Sequence, residues 1–354
     1  MPERSGYAGL VTPIQSASPV LAETFSAAHA VELAQVVRSG FVESRHIGSA
    51  IVLNQHAEVI RSLGDPQAPV FPRSALKPFQ AIAAMNSGVG LRSAAAVLAS
   101  ASHCGTQRHI SVVRSMIAQA GLTEAALQCP PALPRDNASR TELLRDNVEP
   151  APIYMECSGK HAAFLLACAQ NGWPIENYLD PQHPVQLQVR DVIERFCGER
   201  PLLTGVDGCG APVFAISLAG LARGFARIRT SSASSPFALY RNAGILADAV
   251  LSEGWAIDGP GRPDTVIVDQ LGVFTKTGAE GIIAMAAPDG TTAAVKILDG
   301  SPRAAALVGL SLLVDAGAVP QDQAEATIAR LPLQLSGGGA VVGEIRVSPT
   351  IIAG

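Results

Sequence analysis

The chain has 354 residues, a formal net charge of −4, 48% hydrophobic residues and only 16% charged ones. With no basic stripe and no run of Lys and Arg, nucleic acid is excluded as the main partner, and no apolar stretch reaches the ~18 residues of a membrane-spanning helix. Aromatics make up 5% of the chain, so the large core these numbers allow is built from small and aliphatic side chains.

Residues 1–35, beginning MPERSGYAGLVTPIQ, have no long apolar core behind a basic start. They read as a mobile tail and not as a secretory signal, and a cytoplasmic location is expected. GSAIVLNQHAEVI (48–60) is β-branched on both sides of a polar interruption, which predicts a hairpin. From Ser74 to about Gly88 small and apolar residues predict a buried helix starting at the serine, with Pro78 in its first turn. Helices are also predicted over 106–122, 159–172, 184–196 and 235–255. In 184–196, for example, Val185, Val189, Val192 and Phe196 recur at helical spacing.

After Pro260 the texture changes. DTVIVDQLGVFTKTG (264–278) alternates like strands, and 281–298 is two apolar runs around Pro288-Asp289-Gly290, a hairpin signal. A helix over 301–317 and a strand over 339–347 complete the chain, with LQLSGGGAVV (333–342) read as a glycine-rich turn beside a cleft. The expected fold class is α+β, with an antiparallel sheet drawn from both chain ends (36–70 and 260–354) and a mostly helical middle (71–259). Residues 36–354 would form a single catalytic domain.

Five motifs carry candidate chemistry. Ser74 and Lys77 are three apart, a spacing that puts both on one helix face. A buried lysine loses part of its preference for charge, so its neutral amine can take a serine proton. The same serine would also serve as an ordinary helix cap. Lys276-Thr277-Gly278 follows an apolar run, and S-x-x-K followed by K-T-G is the layout of serine β-lactamases and penicillin-binding proteins. Their S-D-N motif is absent, and ASASHCGT (99–106) offers Ser102 or His103 in its place. ECSGKHAAF (156–164) and GVDGCGAPVFA (205–215) supply two cysteines and a nitrogen donor, enough for a three-ligand zinc site or simply for two buried thiols. The remaining cysteines, 104, 129, 168 and 197, read as plain thiols.

Taken in order, RSALKP, SASH, CSGKHAAFL, VDGCGAPVFA and KTGAEG resemble the asparaginase II family, the asparaginases of the Rhizobium etli thermolabile type, over about residues 36–347. The resemblance implies a serine β-lactamase-like fold, and hydrolysis of L-asparagine to L-aspartate and ammonia. It implies two Ser–Lys pairs, Ser74 with Lys77 and Ser102 with Lys276, and Arg73, His161 and Asp207 around the substrate. It further implies one zinc ion per chain on Cys157, Lys160 and Cys209, and a homodimer acting on a small molecule with neither nucleic acid nor membrane as partner. Competing readings are a β-lactamase-like hydrolase or esterase, a glutaminase on the same scaffold, an amino-acid-sensing module with a dead site, and a structural zinc protein.

Overall fold

The computed structural model describes residues 22–352. Three strands come from the N-terminal side: β1 (Val31–Arg38), β2 (Phe41–Leu53) and β3 (Val59–Leu63). A short β4 (Pro69–Val70) pairs instead in a small three-stranded sheet with β5 (Leu203–Val206) and β6 (Pro212–Ser217), in the order β4-β6-β5. The C-terminal part returns with β7 (Phe274–Gly278), β8 (Ile282–Ala286), β9 (Thr292–Ile297), β10 (Gln334–Gly337) and β11 (Ala340–Val347). Within the described residues the main sheet has eight strands in the order β10-β11-β1-β2-β9-β8-β7, with β3 on β2. Every pairing in it is antiparallel. The sheet thus draws on both ends of the chain. β1 begins at Val31, inside the segment read as a tail; residues 1–21 of that segment lie outside the described residues.

The long β2 holds the sheet together. One of its edges bonds first to β1 and then to β3, while the other bonds to β9. The β2–β3 hairpin turns at Asn54, whose Oδ1 accepts from the N–H groups of His56 and Glu58, an Asx device that fixes the turn. Both faces of the central strands are buried. Ile51, Leu53, Ile282 and Ala284 face one core, and Ala50, Val52, Ile283 and Met285 the other. This is why β8 and β9 read in sequence as continuous apolar runs and not as alternation.

The first core lies under α1 (Lys77–Asn86), α2 (Ser93–Ser100), α3 (Gln107–Gln119), the peripheral α4 (Asn137–Arg145), α5 (Ser158–Asn171), α6 (Pro184–Cys197), α7 (Leu218–Thr230) and α8 (Ala238–Ser252). Of these, α7 packs directly on β2, β8 and β9. The second core is covered by α9 (Pro263–Leu271), α10 (Ala305–Asp315), α11 (Gln321–Ile328) and α12 (Pro349–Ile352), with α10 on β8 and β9. Among the described residues no helix is long and apolar enough to cross a membrane.

Three expectations are corrected. The 264–278 segment is not all strand: α9 occupies its first half, opened by Pro263 and stopped by Gly272 at φ 59°. Its Thr265-Val266-Ile267-Val268 run is buried on all sides, so a helix there carries strand-like composition with no polar face. Glycines 337–339 do form a turn, that of the β10–β11 hairpin, but at the opposite edge of the sheet from β7, and of 333–342 only Leu333 lines the cleft beside that strand. Finally, Ser74 does not begin the α-helix. It lies in a 3₁₀ turn, Arg73–Leu76, and α1 starts at Lys77 with Pro78 in its first turn.

Candidate active site

A cleft of about 700 Å³ runs beside β7, the last strand of the main sheet, and Ser74, Ser102 and Lys276 all line it. Ser74 reaches it through its tight turn, where Arg73 holds φ 51°, a left-handed conformation that costs a non-glycine residue ~1–3 kcal/mol. The backbone of β7 comes so close to this turn that a Cβ on Gly278 would run into Pro72 O. The glycine of K-T-G is what allows strand and turn to meet. Ser102 follows α2, and its loop is pinned by two bonds: its own N–H donates to Ile257 O, and that of Cys104 to Asp258 O.

Lys77 is fully buried. Its Nζ lies 2.6 Å from Ala101 O, 2.9 Å from Ser102 Oγ and 3.5 Å from Glu156 O. Burial holds the ammonium below the ordinary lysine range, and the charges of Lys276 and Lys160 add to this, partly offset by Cys157. Lys276, equally buried, has different company. Its Nζ is 3.1 Å from Asp264 Oδ2 and donates to Thr277 O. The same carboxylate accepts from the N–H of Thr277 at 2.9 Å and from its hydroxyl at 2.5 Å. Burial raises the Asp264 carboxyl, but Lys276 and Thr277 outweigh it and leave the group below its usual range.

The four predicted catalytic residues therefore meet, but in different partnerships. Among the described residues no side-chain hydrogen bond joins Ser74 to Lys77, only the backbone bond from Lys77 N–H to Ser74 O; the Lys77 amine is joined to Ser102, and Lys276 to Asp264. Asp264 is not among the residues the sequence motifs point to, because 264–278 alternates like strands. The available signal was Pro263-Asp264, a helix-opening pair that puts a carboxylate in a first turn. Beside it Asp258, pushed up by burial and by Asp264, receives Arg262 Nε at 2.5 Å.

Arg73, His161 and Asp207 do not line this cleft. Arg73 Nε donates to Asp207 Oδ1 at 2.6 Å, so the two predicted substrate residues hold each other. His161 is buried on α5, with Nδ1 2.7 Å from the Tyr178 hydroxyl and its ring against the Cys209 thiol. The predicted metal ligands do come together. Lys160 Nζ is 3.0 Å from Cys209 Sγ, and the Cys157 and Cys209 side chains are hydrogen-bonded. The bond to Cys157 draws the Cys209 thiol far down against burial, with help from Lys160. Burial opposes the charge on Lys160, yet the two thiols hold it above the ordinary lysine range. Among the described residues no group of three or more His, Cys, Asp or Glu is arranged to hold a metal ion. Glu156, next to Cys157, lines the cleft, so the thiol cluster is one residue removed from it.

His103 ties these parts together. Its Nε2 is 2.9 Å from Ser158 Oγ at the start of α5, and its ring stacks on His109 at 5.3 Å. Burial first, and then His109 and Lys77, push it well below the usual histidine range. It is a neutral strut between the Ser102 loop and the Cys157 loop.

The family model for L-asparaginase II matches residues 34–347. The chain belongs to the L-asparaginase II family. That family is one of amidohydrolases. No curated protein is significantly similar to it. Among solved structures it resembles Mglu in its glutamate form at 14% identity and a TM-score of 0.45, over 78% of this chain and 62% of that one. The native form of Mglu aligns at 12% identity and a TM-score of 0.42, over 76% and 64%. A Bacillus glutaminase in 4.3 M NaCl aligns at 14% and 0.34, over 77% and 92%. The chain spans less than two thirds of the length of these two Mglu structures.

Proposed function

We propose that the protein is an L-asparaginase that hydrolyses L-asparagine to L-aspartate and ammonia through an acyl-enzyme on Ser74, in one catalytic domain of serine β-lactamase-like fold. The observation that supports this most is the meeting of Ser74, Ser102 and Lys276 on one cleft, with a Lys77 amine of lowered pKa 2.9 Å from Ser102 Oγ.

In this reading Lys77 is the base, and because it is bonded to Ser102, that hydroxyl relays the proton. Ser74 Oγ attacks the side-chain carbonyl carbon as its proton passes through Ser102 to Lys77. The carbon–nitrogen bond breaks, and ammonia leaves with the proton returned along the same path. Water then adds to the ester, again giving its proton to the relay, and aspartate is released. Lys276, fixed by Asp264, supplies a positive charge at the cleft wall; one well-placed donor to a developing oxyanion is worth ~3 kcal/mol.

Zinc would be held by Cys157, Lys160 and Cys209. The donor set fits: two soft thiols, one already inclined to ionise, an amine, and the buried His161 ring against Cys209. Bound there, the metal would supply a fixed positive charge that helps orient the substrate, since the nucleophile's turn is a separate element.

The test is ammonia release from L-asparagine and L-glutamine and ring opening of a chromogenic β-lactam followed by its colour, with metal content measured on the same sample. Asparagine turnover with no β-lactam cleavage is expected, and Ser74→Ala is expected to drop turnover to background. If that variant keeps more than about a tenth of the rate, Ser74 is not the nucleophile.

A further inference from the structure

The cleft is much larger than asparagine. About 700 Å³ is the size of a pocket for a drug-sized ligand and would hold roughly twenty waters at ~30 Å³ each. Its charges show how that space divides. Arg262 is paired with Asp258 at 2.5 Å, and Lys276 with Asp264 at 3.1 Å. Three charged lining residues, Glu156, Arg135 and Arg303, make no ion pair among the described residues. Glu156 and Arg135 are one acid and one guanidinium, the complement of the α-amino and α-carboxylate groups of an amino acid.

Arg303 is left over. Glu43, whose carboxylate feels its charge, is already bonded to Arg38 at 2.8 Å. The same cleft has an apolar lining of Pro302, Ala305, Ala306, Leu331 and Leu333, three of them within three residues of Arg303 in the chain. A free guanidinium on an apolar wall suits a carboxylate carried beside an apolar side chain. The C-terminal residue of a β-aspartyl dipeptide presents that combination.

We propose that Arg303 and this apolar wall form an outer subsite that takes the leaving amine of a β-aspartyl dipeptide with an apolar C-terminal residue. The inference rests on the acyl-transfer reading above and extends its substrate class. The step balances in the same way. Ser74 Oγ bonds to the β-carbonyl carbon, the bond from that carbon to nitrogen breaks, and the amino acid leaves with the proton returned by the relay. Water then frees aspartate. No oxidant or further reactant is needed.

The experiment measures leucine release from β-aspartyl-leucine and ammonia release from asparagine, for the full chain and for Arg303→Gln. Arg303 is exposed and its side chain makes no hydrogen bond among the described residues, so the variant should fold. Leucine release is expected, with Arg303→Gln raising KM for the dipeptide about tenfold more than for asparagine, the weight of one charge-assisted hydrogen bond. Asparagine turnover without leucine release overturns the subsite alone, and so does an equal effect of Arg303→Gln on both substrates. Failure on both substrates overturns the acyl-transfer reading with it. Leucine release without asparagine turnover keeps the subsite and removes asparagine as the substrate.

Discussion

Lys77 and Lys276 are both buried lysines at one cleft, and their neighbours give them different work. Lys77 is surrounded by carbonyls and a hydroxyl, Lys276 by a carboxylate. If Lys77 is the base, only its neutral form is active. Its folded pKa is lowered, so kcat/KM should rise with pH through that lowered value and level off before the ordinary lysine range. Lys77→Met should abolish turnover while leaving Tm at or above that of the wild type, because it removes a buried amine with no counter-charge. Asp264→Asn should do the reverse to stability. It leaves Lys276 buried without its partner, a loss of ~3–5 kcal/mol measurable by urea unfolding. These roles were only half legible in the sequence. The residue types and their order along the chain identify the participants, whereas their pairing depends on which side chains the folded chain brings within 3 Å, and that does not follow from spacing.

At the scale of elements, the K-T-G strand and the S-x-x-K turn are one construction. β7 lies against the Ser74 turn because Gly278 has no side chain to keep Pro72 away. Gly278→Ala should therefore shift the turn by a fraction of an ångström or more. A misplacement of ~1 Å costs on the order of 10²-fold in rate, so kcat should fall far more than Tm does. The hairpins were readable because their turns have distinctive chemistry, Asn54 in one and Pro288-Asp289-Gly290 in the other. The helix α9 was not, because its run Asp264 to Val268 is buried throughout and only Asp269 and Gln270 are exposed, too few to set a period. The 3₁₀ turn at Ser74 was hidden for another reason: its sequence is helical in composition, and at Leu76 and Lys77 its right-handed backbone runs straight into α1.

Across the whole molecule, the main sheet lies between two cores, and the large helical core supports both α5, with its thiol cluster, and α1, behind the Ser74 turn. A metal held by Cys157, Lys160 and Cys209 would sit on an element already packed by that core. Removing it with a chelator should leave far-UV CD unchanged and raise KM for asparagine, with kcat largely kept. Loss of all turnover at saturating substrate with the fold intact would instead make the metal part of bond cleavage.

Arg73 connects these scales. Its backbone is held in an unfavourable conformation directly before Ser74, and its side chain is bonded to Asp207, two residues before Cys209. The cost of that conformation, ~1–3 kcal/mol, is close to what one hydrogen bond to a charged group returns, ~1.5–3 kcal/mol. The serine turn is thus a cocked latch with Asp207 as its catch. Anything that disturbs the Cys209 loop lets the turn relax and takes Ser74 out of register without touching it.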